Sequence, residues 1–135
     1  MKNKIILPQL LKEQMLEHAL SDPDIEVCGL IGGIDNRATT IYPVNNIAED
    51  PAHNFLMDPE PQIAVMKLLR EKHESLWGIY HSHPDKRAIP SERDLQLAAY
   101  PGVNYFIVSV IDDLPELNAY KYDGSKFEKL ILDMI

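Results

Sequence analysis

An α/β domain with a mixed central sheet is the fold class this sequence predicts. Three observations lead to it. Segments with helical spacing alternate with extended ones along the chain. One run, Asn104 to Ile111, is apolar almost throughout. An Asp123-Gly124 pair separates the last two extended segments. Alternating elements pack helices against a sheet, a nearly continuous apolar run is a core strand, and Asp-Gly is a strong hairpin turn.

The elements follow in order. Pro8 to Leu20 is helical, with Leu7, Leu11, Met15 and Ala19 recurring every four residues and Pro8 suited to a first helical position. Ser21-Asp22-Pro23-Asp24 ends it, because Pro23 disfavours helical geometry in the residue before it. Ile25 to Ile31 is a short buried strand ended by Gly32-Gly33, and Ala38 to Val44 is a second strand across an Asp35-Asn36 turn. Asn45 to Pro61 is loop-like, with three prolines and a short extended piece at Phe55-Leu56-Met57. Gln62 to His73 is an amphipathic helix, with Ile63, Met66 and Leu69 on one side and Lys67, Arg70 and Glu71 on the other. Leu76 to His81 is a buried strand containing Trp77, and His83 to Ile89 a charged loop. Ser91 to Ala99 is a helix stopped by Pro101-Gly102. Leu117–Tyr122 and Lys126–Leu132 form the final hairpin.

Composition limits the function classes. The 135 residues suit one domain. With 13 Lys+Arg against 21 Asp+Glu the net charge is −8, which argues against a surface built for nucleic-acid phosphates or anionic lipid. No apolar run approaches the length of a membrane helix, and the run Ile5-Ile6-Leu7 breaks at Pro8, too early for a signal peptide. A reducing cytoplasm is the expected compartment. Cys28 is the single cysteine, so any metal is held mainly by His and carboxylate.

The chemistry concentrates in Tyr80-His81-Ser82-His83-Pro84. Side chains two apart on an extended chain point the same way, so His81 and His83 can present two imidazoles to one metal; two solvated loop histidines is the plainer reading. Asp94 lies 11 residues beyond His83, three positions after Ser91. Ser91 and Asp94 fit a helix cap as well as they fit a metal site. Glu26 enters an apolar strand, where a carboxylate is costly unless paired or functional. Cys28 as a nucleophile is a weaker candidate, since a lone apolar-strand cysteine is usually inert. His18, His53 and His73 read as structural or solvated, and Trp77 as core.

His81-Ser82-His83-Pro84, six residues from Asp85 to Pro90, then Ser91-x-x-Asp94, resembles the JAMM motif of the JAMM (MPN-plus) metalloproteases, H-x-H-(x7)-S-x-x-D. Glu26-Val27-Cys28-Gly29-Leu30 is similar to that family's upstream glutamate segment. The resemblance implies a cytidine-deaminase-like α/β/α fold holding one zinc ion. His81, His83 and Asp94 would be its ligands, with water in the fourth position. Glu26 takes the general acid/base position and Ser91 the oxyanion-stabilising one.

The same resemblance implies hydrolysis of a peptide or isopeptide bond after the C-terminal Gly-Gly of a ubiquitin-like protein. Only nine residues, Leu95 to Val103, separate Asp94 from the next strand. That leaves no room for a long ubiquitin-gripping insertion, so the chain resembles the compact, stand-alone prokaryotic members. Those are associated with ubiquitin-like sulfur carriers in cysteine, thiamine or molybdopterin chemistry. Asn45–Glu60 is the expected substrate-covering loop, and Lys86 and Arg87 the expected basic patch for an acidic partner. Monomer and homodimer both remain open. A domain that binds such tails, with activity dependent on a partner, is the alternative. A zinc deaminase is disfavoured because its P-C-x-x-C needs a second cysteine.

Overall fold

The structure is a computed structural model that describes residues 3–112 and 114–135. Its elements are β1 (Lys4–Leu7), α1 (Gln9–Ser21), β2 (Cys28–Ile34), β3 (Arg37–Val44), α2 (Pro59–Glu71), β4 (Ser75–His83), α3 (Glu92–Leu97), β5 (Asn104–Ser109), β6 (Glu116–Tyr122), β7 (Phe127–Lys129) and β8 (Ile131–Met134). The strands form one eight-stranded sheet in the order β7-β6-β5-β4-β2-β3-β1-β8. β4 runs parallel to β5 and antiparallel to β2, so the sheet is mixed as expected.

Its two faces bury different side chains. Leu11, Met15 and Ala19 of α1 pack with Val27, Ile31, Tyr80, Phe106 and Val108 on one face. Val65 and Met66 of α2 pack with Cys28, Leu30, Ile79 and Tyr105 on the other. That is the α/β/α layering the resemblance implies. Among the described residues no helix is long and apolar enough to cross a membrane.

Several boundaries differ from the sequence expectation. α2 starts at Pro59 rather than Gln62, because Asp58 caps it by accepting the Glu60 N–H at 3.2 Å and first-turn prolines forgo only unneeded donors. β2 runs through Gly32-Gly33 to Ile34 instead of ending there. Gly33 is needed in the strand: a Cβ would collide with the Trp77 ring. Trp77 itself lies in a β-bulge, since Ile31 pairs with Gly78 and Gly32 with Leu76. α3 is six residues and β5 stops at Ser109, so both are shorter than expected. Phe55-Leu56-Met57 is not a strand; Met57 makes an isolated bridge to Asn46.

β1 and β8 are too short to signal themselves and were not expected. They matter because residues 127–134 touch both edges of the sheet. β7 pairs with β6 in the expected hairpin. Leu130 N–H then donates to the Ala119 carbonyl at 2.8 Å and Ile131 N–H to the Asn3 carbonyl at 2.7 Å. β8 continues parallel to β1. One segment thus nearly closes the sheet and covers edges that would otherwise stay unpaired.

Candidate active site

β4 extends two residues further than the sequence suggested and carries both histidines before it leaves the sheet. His81 and His83 therefore share a face on rigid backbone. Their Nε2 atoms are 3.2 Å apart. Asp94, in the first turn of α3, places Oδ1 3.1 Å from His81 Nε2 and Oδ2 3.0 Å from His83 Nε2. The three side chains are the one group of His, Cys, Asp or Glu among the described residues arranged to hold a metal ion.

The triangle fits a metal on its own geometry. Nitrogen donors at about 2.0–2.1 Å from a tetrahedral ion lie about 3.3–3.4 Å apart, close to the spacing here. His83 Nδ1–H donates to the Arg87 carbonyl at 2.8 Å, which leaves the Nε2 lone pair aimed at the triangle. His81 is oriented by packing: its ring stacks on Phe55 with centroids 4.5 Å apart. Its Nδ1 is a buried polar atom without a hydrogen-bond partner among the described residues.

Electrostatics separate the four ionisable groups. Burial opposes charge on Asp94, but hydrogen bonds with His81 and His83 outweigh it and hold the carboxyl far below its usual range. Burial pushes His81 down, favouring its neutral ligating form. Burial acts the same way on His83, yet its hydrogen bond with Asp94 prevails and raises it. Glu26 is 3% exposed. Burial raises its pKa to about 7, against the lowering influence of His83. A carboxyl poised there can accept and release a proton near neutrality.

Glu26 does not lie in a strand as the sequence suggested; it precedes β2 by two residues. Its backbone is held from several sides. The Glu26 N–H donates to the Pro51 carbonyl at 2.7 Å, and its carbonyl accepts from Asn46 Nδ2 at 2.8 Å.

Ser91 and Asp94 form a complete capping box. Ser91 Oγ accepts the Asp94 N–H at 3.0 Å and Asp94 Oδ2 accepts the Ser91 N–H at 2.9 Å. Capping and ligation are compatible here. The cap uses Ser91 Oγ as an acceptor, so its own O–H remains able to donate.

Other candidates fall away. Cys28 pairs with His81 in register but is buried, and burial pushes its thiol up to about 12. That leaves no thiolate for nucleophilic attack. His18 bonds to Tyr80 Oη at 2.7 Å, His73 is exposed beyond α2, and Trp77 is core. Arg87 is engaged by Glu116 through two hydrogen bonds of 3.0 and 2.9 Å, which weakens the expected Lys86–Arg87 patch. Phe55 and Asn46 were not singled out from sequence; both sit in an irregular loop with no periodicity to mark them. Phe55, Leu97 and Tyr105 wall a cavity of about 30 Å³ beside His81 and Asp94, and the same three line an adjoining groove of about 190 Å³.

Known proteins share this arrangement of chain. The profile of the family described as prokaryotic homologs of the JAB domain matches residues 8–123. The desampylase of Haloferax volcanii is 34% identical over 119 residues, covering 84% of this chain and 81% of that protein. The CysO-cysteine peptidase of Mycobacterium tuberculosis is 32% identical over 123 residues, covering 88% and 84%. A solution structure of a Desulfitobacterium hafniense protein superposes with a TM-score of 0.87 at 30% identity, covering 97% of this chain and 92% of the other.

Proposed function

This chain belongs to the family of prokaryotic homologs of the JAB domain, and from that premise we propose that it is a JAMM-type zinc metallopeptidase. It hydrolyses the peptide or isopeptide bond after the C-terminal Gly-Gly of a ubiquitin-like sulfur-carrier protein. The observation that carries the reading is the buried triangle of His81, His83 and Asp94 with the neutral-range carboxyl of Glu26 beside it. The relatives named desampylase and CysO-cysteine peptidase support the reaction class.

In this reading His81, His83 and Asp94 would hold one zinc ion, with water as its further ligand. Zinc bound there supplies a Lewis acid that polarises the scissile carbonyl and makes water acidic near neutral pH. Glu26 takes the proton of the attacking water on its carboxylate and returns it to the leaving amine. The Ser91 hydroxyl donates to the oxygen that becomes negative as the carbonyl turns tetrahedral. Phe55, Leu97 and Tyr105 wall the space beside His81 and Asp94.

The test has two arms. Metal analysis of the purified protein is expected to give one zinc per chain. The zinc-loaded protein is then incubated with a ubiquitin-like sulfur carrier joined through its Gly-Gly terminus to the lysine of a reporter peptide. Cleavage after Gly-Gly is expected, with Glu26→Gln retaining zinc and losing about 100-fold or more in rate. A chain without stoichiometric metal, or full turnover by Glu26→Gln, refutes the reading.

A further inference from the structure

Asn46 spends every hydrogen bond it has on three pieces of backbone around Glu26. Its Nδ2 donates to the Glu26 carbonyl at 2.8 Å and to the Asn54 carbonyl at 2.9 Å. Its Oδ1 accepts the N–H groups of Ala48 and Leu56, each at 3.0 Å. Two carbonyls on one side and two N–H groups on the other define the orientation of the amide, because no flipped side chain satisfies them. The antiparallel bridge between Asn46 and Met57 brings this side chain alongside Leu56, but that pairing does not require the bond to the Glu26 carbonyl.

The partners are informative. Asn54 and Leu56 flank Phe55, whose ring stacks on His81. Glu26 is the buried carboxyl close enough to His83 and Asp94 to interact electrostatically with both. Asn46 therefore ties the residue that carries the proton to the two residues that aim the aromatic wall. The loop is further laced to itself by Ile47 N–H on the Leu56 carbonyl at 2.8 Å, and to Glu26 by the Pro51 carbonyl.

We propose that Asn46 is a positioning residue for the hydrolytic reaction, setting Glu26 and Phe55 in register with each other and with His81. The proposal rests on the peptidase reading for its chemistry and on the four hydrogen bonds for its geometry. Asn46 touches neither the metal triangle nor the substrate cavity; it acts through the backbone of others. Displacing a proton-carrying group by about 1 Å costs about 100-fold in rate, so its loss acts on turnover more than on binding.

The test compares Asn46→Asp, Asn46→Ala and the parent. Asn46→Asp keeps an acceptor for Ala48 and Leu56 but sets oxygen against the carbonyls of Glu26 and Asn54. Zinc content and far-ultraviolet circular dichroism report that each variant is loaded and folded. With the Gly-Gly-linked reporter substrate, kcat per zinc-loaded chain is expected to fall about 100-fold in Asn46→Asp while KM stays within about threefold. Amide hydrogen exchange gives a second readout that needs no substrate. The Ala48 and Leu56 amides are expected to lose protection in Asn46→Ala while those of β4 and β5 keep theirs.

A parent that cleaves and an Asn46→Asp variant with unchanged kcat overturns the positioning role and leaves the peptidase reading intact. A parent that does not cleave overturns the peptidase reading, and with it the catalytic role of Asn46. Unchanged protection of Ala48 and Leu56 in Asn46→Ala overturns the proposed tie whatever the activity.

Discussion

Ser82 straddles Glu26. Its Oγ accepts the Val27 N–H at 2.8 Å and donates to the Ile25 carbonyl at 3.4 Å, gripping the chain on both sides of the carboxyl-bearing residue. The Ser82 N–H adds a bond to the Val27 carbonyl at 3.0 Å. The serine between the two histidines thus faces away from them and secures the segment that brings Glu26 to their side.

Removing that hydroxyl leaves the Val27 N–H buried without a partner. Ser82→Ala is expected to cost about 1–3 kcal/mol of stability, and Ser82→Thr, which restores the oxygen, to recover most of it. Urea unfolding of the three proteins decides; equal midpoints and slopes would show that the contact carries no weight.

Glu26 predicts a pH dependence of the metal-free protein. Its folded-state pKa, about 7, lies above its ordinary value of 4.5. Its contribution to stability is therefore fully present below about 4.5 and is lost as pH rises through about 7. Glu26→Gln has no charge to bury. Relative to it, the parent is expected to lose on the order of 3 kcal/mol between pH 4.5 and pH 8. Denaturant titrations of both metal-free proteins across that window measure the difference; parallel stability curves refute it.

Metal removal tests the His81–His83–Asp94 triangle directly. Without the ion, two Nε2 atoms 3.2 Å apart and a carboxylate remain together in a buried site. Zinc at about 100 times its dissociation constant stabilises the folded chain by about 2.7 kcal/mol. Calorimetric scans are expected to show a lower Tm after chelation, recovered on adding zinc. The variant His83→Ala is expected to show no such response. A parent Tm indifferent to the chelator sinks the assignment.

Gly29 tests the packing behind the site. A Cβ there would lie 2.6 Å from Tyr80 Oη, which bonds His18 Nδ1 at 2.7 Å. Tyr80 is fully buried and adjoins His81. Gly29→Ala is expected to destabilise by about 1–3 kcal/mol through overpacking and to release His18. Thermal unfolding together with the titration of His18 by nuclear magnetic resonance measures both effects; an unchanged Tm would contradict the close approach.

Much of this was legible in sequence because local signals carried it. The two-residue spacing of His81 and His83 needs only an extended chain to align them. Ser91 and Asp94 make their cap within one turn. The β5 run and the Asp123-Gly124 hairpin advertise themselves by composition. Where elements were missed or misplaced, the deciding contact was distant. β1 and β8 are four residues each and exist because they pair with each other and, for β1, with β3. β2 passes through two glycines because α2 and Trp77 press on it from either side. Arg87 is a free cation by sequence, yet Glu116, 29 residues away, engages it.

The sequence by itself determined the residue types and spacings of the site: two imidazoles, a carboxylate at a helix start, a serine, and an acidic residue before an apolar strand. Only the tertiary structure decided that these meet. Asp94 reaches the histidines because β4 runs on to His83 and α3 starts within side-chain reach of it. Glu26 acquires its neutral-range pKa from burial, and Ser82, Asn46 and Pro51 fix the backbone that holds it at that buried position. Spacing along a chain is a local property, whereas desolvation and the convergence of side chains depend on residues that are neighbours only after folding.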